Sequence, residues 1–367
     1  MSHASAPKSA KKDNLRLGEI NYPMKRLPSE DIEHILAHTE DLWKEMRGSR
    51  IFITGGTGFF GKWLLGSFLA ANDLFGLDAT ITVLSRRPYS FAQRFPHLAY
   101  HPAVRFVRGD VRRTAFPKGR FTHVIHGAVD ASLKLIQEVP LLVFDTIVLG
   151  ARRTLEFAQR CGARKFLLIS SGAAYGSQPA KMKLMPEEYR GGPDFNDRYI
   201  IYGEAMRAVE ALSIPYARHD AFEAKIARCF SFVGPYLPLD THFAIGNFIR
   251  DALKNEKIRI KGDGAARRSY LYTSDLAIWL WTILLRGKNM QKYNVGSEDA
   301  VTTEETARLV AELSGNSHPV AIEKKAGAPN STDRYVPNTR RARTDLGLKE
   351  TIHLREAVRK TIDFYRQ

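Results

Sequence analysis

One short glycine run constrains this chain more than any other feature. Arg50 to Thr54 (RIFIT) has the apolar character of a strand. It runs straight into Gly55-Gly56-Thr57-Gly58-Phe59-Phe60-Gly61, and KWLLGSFLAA follows with the character of a helix. Strand, glycine turn and helix in that order predict the phosphate-binding corner of a dinucleotide fold. In such a corner Gly55 permits the tight turn, Gly58 lets the backbone approach a pyrophosphate, and Gly61 allows the helix to pack close to the strand. The free N–H groups at the start of the helix face the phosphates. Thr57, Phe59 and Phe60 complete this candidate cofactor-binding turn.

Further strands follow at the spacing of an α/β protein: Ala79 to Leu84, Val104 to Arg108 leading to Gly109-Asp110-Val111, and Thr122 to His126 leading to Gly127-Ala128-Val129. The second strand ends at Ser85-Arg86-Arg87, where an NAD site often places an acid for the ribose 2′-hydroxyl. Arg86, or Arg87, suits a 2′-phosphate instead, which favours NADP while leaving NAD open. A solvated basic loop is the other reading of the same residues.

The 367 residues fit a dinucleotide-binding domain plus a smaller substrate domain. The formal charge is +16, but Lys and Arg are spread along the chain without a recognition motif, so an anionic small ligand fits better than nucleic acid. Cys161 and Cys229, the two cysteines, have no metal-ligand spacing, and they suit a reducing cytoplasm. Leu276 to Leu285 (LAIWLWTILL) is about half the length needed to span a bilayer and predicts a buried helix, with Trp279 and Trp281 in core or dimer packing. Residues 1–27 predict a flexible basic leader. From Ser29, a candidate N-cap, an amphipathic helix is predicted up to Met46.

The chain resembles the extended short-chain dehydrogenase/reductases, in particular the NAD-dependent epimerase/dehydratase family acting on nucleotide sugars. The resemblance runs from about Arg50 to the C-terminus. It rests on TGGTGFFG (54–61), RGDV (108–111), HGAVD (126–130), SSGAAYG (170–176), YGEAM (202–206), RCFSFVGP (228–235), GDGAARRSYLY (262–272) and YNVG (293–296). It implies an α/β fold, with a doubly wound parallel sheet of Rossmann type and a smaller C-terminal α/β domain. The expected divisions are 1–47 for leader and helix, 48–235 for the cofactor domain, and 236–367 for the substrate domain with some strand exchange.

By the same resemblance Asp110 lies near the adenine, Val111 lines its pocket and Ala128 lines the cofactor cleft. Ser171 and Tyr202 fall on the catalytic serine and tyrosine, while Asn247, Arg268 and Arg334 fall where relatives hold the substrate diphosphate, base or ribose. The expected partner is a nucleoside diphosphate sugar, bound by a cytoplasmic homodimer in surface polysaccharide or deoxysugar synthesis.

Two departures narrow the chemistry. The family motif is Y-x-x-x-K, and position 206 is methionine. The missing lysine would fix the nicotinamide ribose and lower the tyrosine pKa. Arg207 is turned about 100° round the helix and is expected to point elsewhere. The second departure is Gly172-Ala173, where dehydratases of this family carry Asp-Glu and UDP-glucuronate decarboxylases carry a glutamate at the second position. Epimerisation or keto-sugar reduction by reversible hydride transfer is therefore expected, and a catalytically impaired binding protein is the alternative that Met206 raises.

Overall fold

A computed structural model describes residues 24–129, 133–197, 200–219, 222–241, 243–323 and 333–366. Most of the leader and Asp130 of the HGAVD motif lie outside the described residues.

Six strands, β1 (Arg50–Thr54), β2 (Thr80–Ser85), β3 (Val104–Arg108), β4 (His123–His126), β5 (Lys165–Ser171) and β6 (Glu223–Cys229), join a seventh, Gln291–Val295, in one parallel sheet. The order is β3-β2-β1-β4-β5-β6 and then Gln291–Val295, so the winding direction reverses between β1 and β4. In open α/β sheets the crevice outside the carboxyl ends at that reversal is where ligands bind. Four of the five β1 residues and all four of β4 are buried, as expected for central strands covered on both faces. The seventh strand pairs Val295 with Cys229, so the sheet is finished by residues beyond position 235.

The first helix, α1 (Ser29–Trp43), corrects one expectation: Ser29 is the first helical residue and Pro28 occupies the cap position without a side-chain cap. The α-helix stops at Trp43 and tightens into one 3-10 turn over Lys44–Met46. Asp31 is 1% exposed, a placement that needs partners. Tyr272 Oη donates to its Oδ2 at 2.6 Å and Lys360 Nζ stands 3.0 Å from its Oδ1, tying α1 to the C-terminal half.

The apolar run forms the helix Thr273–Arg286 and is buried within the chain. Trp281 meets Trp43 edge-on at 5.1 Å and donates to Ser67 Oγ at 2.9 Å, and Trp279 donates to the Lys349 carbonyl at 3.3 Å. Both tryptophans are thus core residues.

The second helix, α2 (Phe59–Phe75), is set by backbone contacts. Gly55 has φ +77, and a Cβ built on it would lie 2.3 Å from the Gly127 carbonyl oxygen. A Cβ on Gly61 would lie 2.4 Å from the Gly55 oxygen, so turn, helix and the loop after β4 close on one another without side chains between them. Beneath them Thr54 Oγ1 bonds His126 Nδ1 at 2.9 Å and accepts from the Gly127 and Ala128 N–H groups at 3.3 Å.

The C-terminal lobe packs the helices Ala244–Leu253, Thr303–Ser314 and Leu354–Arg366 around Ile249, Val310 and Ile362. The first of these begins at Ala244. A small sheet places Arg267–Arg268 between Val301–Thr302 and Arg334–Tyr335.

Two predictions follow from this corner. Gly55→Ala strains a positive φ and drives a methyl into a carbonyl, so it should lower the melting temperature by an amount equivalent to ~3 kcal/mol or more. Burial depresses His126 to about 4, well below the ordinary imidazole range. The unfolded chain therefore binds the proton more readily, and stability should be full above about pH 6.5 and fall as the pH drops toward 4. Denaturant titrations across that range should show the decline, and it should be shallower in His126→Asn.

Candidate active site

Ser171 is the last residue of β5 and pairs in register with Cys229 of β6, which fixes its backbone at the carboxyl edge of the sheet. Its Oγ accepts the Ala173 N–H at 3.1 Å as the chain turns into the 3-10 segment Gly172–Tyr175. Tyr202, the third residue of the helix Ile200–Arg218, hydrogen-bonds the same hydroxyl. The structure therefore brings together the two residues that the Ser and Y-x-x-x-K motifs single out.

A third hydroxyl joins them. Tyr335, on the short strand Arg334–Tyr335 of the C-terminal lobe, also hydrogen-bonds Ser171, and its Oη donates to the Cys229 carbonyl at 3.5 Å. Sequence reasoning chose Arg334 and passed over its neighbour. Gly172 held the signal, because a Cβ there would lie 2.5 Å from the Tyr335 Oη. The phenol stands where a side chain at position 172 would be.

Burial raises the Tyr202 pKa, and the Ser171 hydrogen bond only partly opposes it. Tyr335 is raised as well, again by burial first. Met206 supplies no cation: it is 1% exposed and packs in an apolar cluster with Ala174, Ala205 and Val209. Arg207 points away as helical geometry requires, donating to the Gly191 carbonyl at 2.6 Å and pairing with Glu204 at 3.5 Å.

One turn beyond Met206, Glu210 anchors a buried ionic network that the motifs did not announce. Arg228 Nε donates to Glu210 Oε1 at 2.8 Å, and Ser170 Oγ donates to the same oxygen at 2.6 Å. The Arg228 guanidinium lies 4.1 Å above the Tyr175 ring, and Tyr175 Oη donates to Asn294 Oδ1 at 2.8 Å. Burial pushes Tyr175 up to about 12, so it stays a phenol. The network locks the serine strand, the tyrosine helix and the seventh strand to one another.

The remaining expected residues fall into two sets. Gly58 caps α2 and is exposed at the mouth of the turn, and Gly55 and Gly61 make the close approaches described above. Phe60 packs edge-on against Phe232 at 4.9 Å and Phe59 against Phe60 at 5.6 Å, bracing the helix start. Thr57 and Arg86 line one pocket beside the turn. Val111 is 6% exposed and blocks space at Gly150, and Ala128 stands on the Thr54 hydroxyl. Asp110 has its carboxylate committed to Arg112, at 3.0 Å to Nε and 2.7 Å to Nη2. That pairing holds the carboxyl at about 2.

In the C-terminal lobe Arg268 pairs with Asp333 at 2.8 Å and lies in register with Tyr335, while Arg334 donates to the Lys183 carbonyl at 3.3 Å. These arginines thus flank the hydroxyl cluster. Asn247 accepts from Arg250 at 3.0 Å on its own helix, and no described contact joins it to that cluster.

A glycine cradle with no Cβ in it, an exposed helix start and a crevice at the winding reversal fit a dinucleotide. The model of the NAD dependent epimerase/dehydratase family matches residues 51–296. The chain belongs to that family. Among curated relatives, UDP-glucuronic acid decarboxylase 2 of Arabidopsis thaliana is 28% identical, over 88% of this chain and 69% of that protein. UDP-glucuronic acid decarboxylase 1 of Xenopus tropicalis is 27% identical, over 87% of this chain and 72% of that one. Among solved structures, UDP-glucose 4-epimerase of Thermotoga maritima with UDP-glucose superposes with a TM-score of 0.72 at 21% identity, covering 86% of this chain and 98% of that one. The Thermus thermophilus UDP-glucose 4-epimerase with NAD superposes at 0.71 and 24% identity, covering 86% and 99%. Among the described residues no helix is long and apolar enough to cross a membrane.

The packing of Met206 in this family member yields a prediction. Met206→Lys places an ammonium in an apolar cluster and should cost ~1–3 kcal/mol of stability, whereas Met206→Leu should stay within ~1.5 kcal/mol. Thermal melts of the two variants beside the parent protein check both values.

Proposed function

We propose that this chain is a keto-sugar reductase, transferring hydride reversibly at one carbon of a nucleoside diphosphate sugar. Epimerisation through a transient keto sugar is the second outcome open to the same residues. The observation that carries the reading is the meeting of Ser171, Tyr202 and Tyr335 over Gly172-Ala173, a position without a carboxylate. Reversible hydride transfer moves one proton to or from one oxygen, and hydroxyls suffice for that. Elimination and decarboxylation call for a further acid or base.

A bound dihydronicotinamide supplies the hydride. Tyr202 gives its phenolic proton to the sugar carbonyl oxygen as the carbon becomes tetrahedral, so the alcohol forms with charge balanced. Burial, with methionine in place of the lysine, keeps Tyr202 protonated and so suits it to donation. Ser171 orients the oxygen, and the emptied Tyr202 phenolate regains its proton from water as the product leaves. Arg268 and Arg334 present guanidinium groups beside the cluster for the diphosphate, Arg268 exchanging Asp333 for phosphate oxygens. The relatives named for UDP-linked sugars support UDP as the first nucleotide to try.

The purified protein with NADH or NADPH and a UDP-4-keto sugar should give the reduced sugar, carrying two added hydrogens by mass spectrometry. Tyr202→Phe should slow the reaction by ~100-fold or more. Inversion at C4 of UDP-glucose at unchanged mass would select epimerisation. Release of carbon dioxide from UDP-glucuronate, or of water from any sugar offered, would overturn the reading.

A further inference from the structure

Three consecutive residues of the C-terminal lobe, Asp333, Arg334 and Tyr335, reach both ends of the proposed substrate site. Asp333 places its carboxylate on Arg268, Oδ2 to Nη2 at 2.8 Å, and its carbonyl oxygen accepts the Arg267 N–H at 2.8 Å. Further along, Tyr335 lies in register with Arg268, and its phenol hydrogen-bonds the Ser171 hydroxyl. The segment thus sets a carboxylate on an arginine suited to a diphosphate, and a phenol on a serine suited to a sugar oxygen.

The two contacts differ in kind. The Asp333 side chain is 60% exposed, and ion pairs open to solvent hold weakly against a competing anion. Arg334 stands directly beside Arg267 across the strand pair, where like charges repel. A diphosphate brings more charge and more oxygens to Arg268 and Arg334 than one carboxylate does. The Tyr335 phenol is enclosed instead. Its ring packs against Phe230 with centroids 4.6 Å apart, and its Oη fills the space over Gly172. Ser171 cannot orient a sugar oxygen while that phenol stands on it.

The segment is fixed at one end. Val336 is fully buried, donates its N–H to Gln178 Oε1 at 3.0 Å and accepts the Met185 N–H at 2.9 Å. On the other side of Tyr335 the side-chain ties are Asp333 to Arg268, and Arg334 to the Lys183 carbonyl at 3.3 Å. A diphosphate takes over both arginines and so removes both ties.

We propose that Asp333 and Tyr335 are internal substitutes for the substrate's diphosphate and reacting sugar oxygen, and that a diphosphate displacing Asp333 from Arg268 withdraws Tyr335 from Ser171. The pair thereby restricts the site to sugars carried on a nucleoside diphosphate, because a single phosphoryl group leaves the phenol in place. The inference rests on the reading of Ser171 and Arg268 as substrate anchors, and its test needs no hydride transfer.

Fluorine NMR of the full chain carrying 3-fluorotyrosine reads the phenol directly, with Tyr335→Phe identifying its resonance among those of the 14 tyrosines. Saturating UDP should move the Tyr335 resonance, and UMP at the same occupancy should not. Calorimetry records binding in parallel. Asp333→Asn removes the competing charge and should bind UDP about threefold tighter, the order expected for an exposed pair. An aspartate needed only for folding gives unchanged or weaker binding. Bound UDP with an unmoved Tyr335 resonance, an equal shift with UMP, or no gain in UDP affinity from Asp333→Asn would overturn the inference alone. No binding of UDP would overturn it together with the nucleoside diphosphate reading. Absence of a reduced sugar in the activity assay would sink the reductase reading and leave these measurements standing, so the two failures are distinguishable.

Discussion

The close approach of Gly55 to the backbone of Gly127 is the contact on which the rest of the molecule depends. No side chain of any kind fits between the glycine turn and the loop after β4, and the Gly61 face of α2 closes on the same turn. The ends of β1 and β4 are thereby held together where the sheet reverses direction, with the Thr54–His126 hydrogen bond underneath. A crevice forms there because neighbouring connections leave on opposite sides, and its floor is bare backbone because glycine occupies the positions where a Cβ would intrude.

The reactive edge is built by a different principle. Ser171 is fixed by its register with Cys229, Tyr202 by a helix locked through Glu210 and Arg228, and Tyr335 by a two-residue strand of the other lobe. The buried ion pair is stable because each charge keeps its partner, and loss of either would leave the other desolvated. Met206 fits this frame as packing. Among the described residues the cationic side chains of the crevice lie elsewhere, near β2 and in the small C-terminal sheet, and Met206 brings none to the tyrosine. Such a distribution favours a tyrosine that gives a proton over one that takes it.

Much of the fold was legible in the residues. β1 and β3 stand at the predicted bounds, and β2 and β4 are shifted or shortened by a residue or so; β1 was legible because burial on both faces leaves an apolar run, and β3, at the sheet edge, because its apolar residues are broken by exposed arginines in a strand pattern. The buried tryptophan helix was legible for the same reason. Ser29 was misplaced by one position: a serine just before an apolar periodicity reads as a cap, but here Pro28 takes that place. Tyr335 was missed because nothing local marks it. Its partners are about 160 and 130 residues earlier in the chain, and only Gly172 hints at the space it fills. The Glu210–Arg228 pair was missed for the same reason, since a single acid on a helix and a single base on a strand carry no joint pattern.

By itself the sequence determined the strand, glycine turn and helix that form the dinucleotide-type corner, the family to which the chain belongs, and the absence of a lysine and of acidic residues at two positions of its motifs. Those properties are local, because they depend on backbone freedom and on residue type at fixed spacing. Tertiary structure alone decided which hydroxyls share Ser171, that Met206 is enclosed, and that Asp333 stands on Arg268. Contacts between side chains distant along the chain depend on how the lobes close, and spacing along the chain carries no record of that closure.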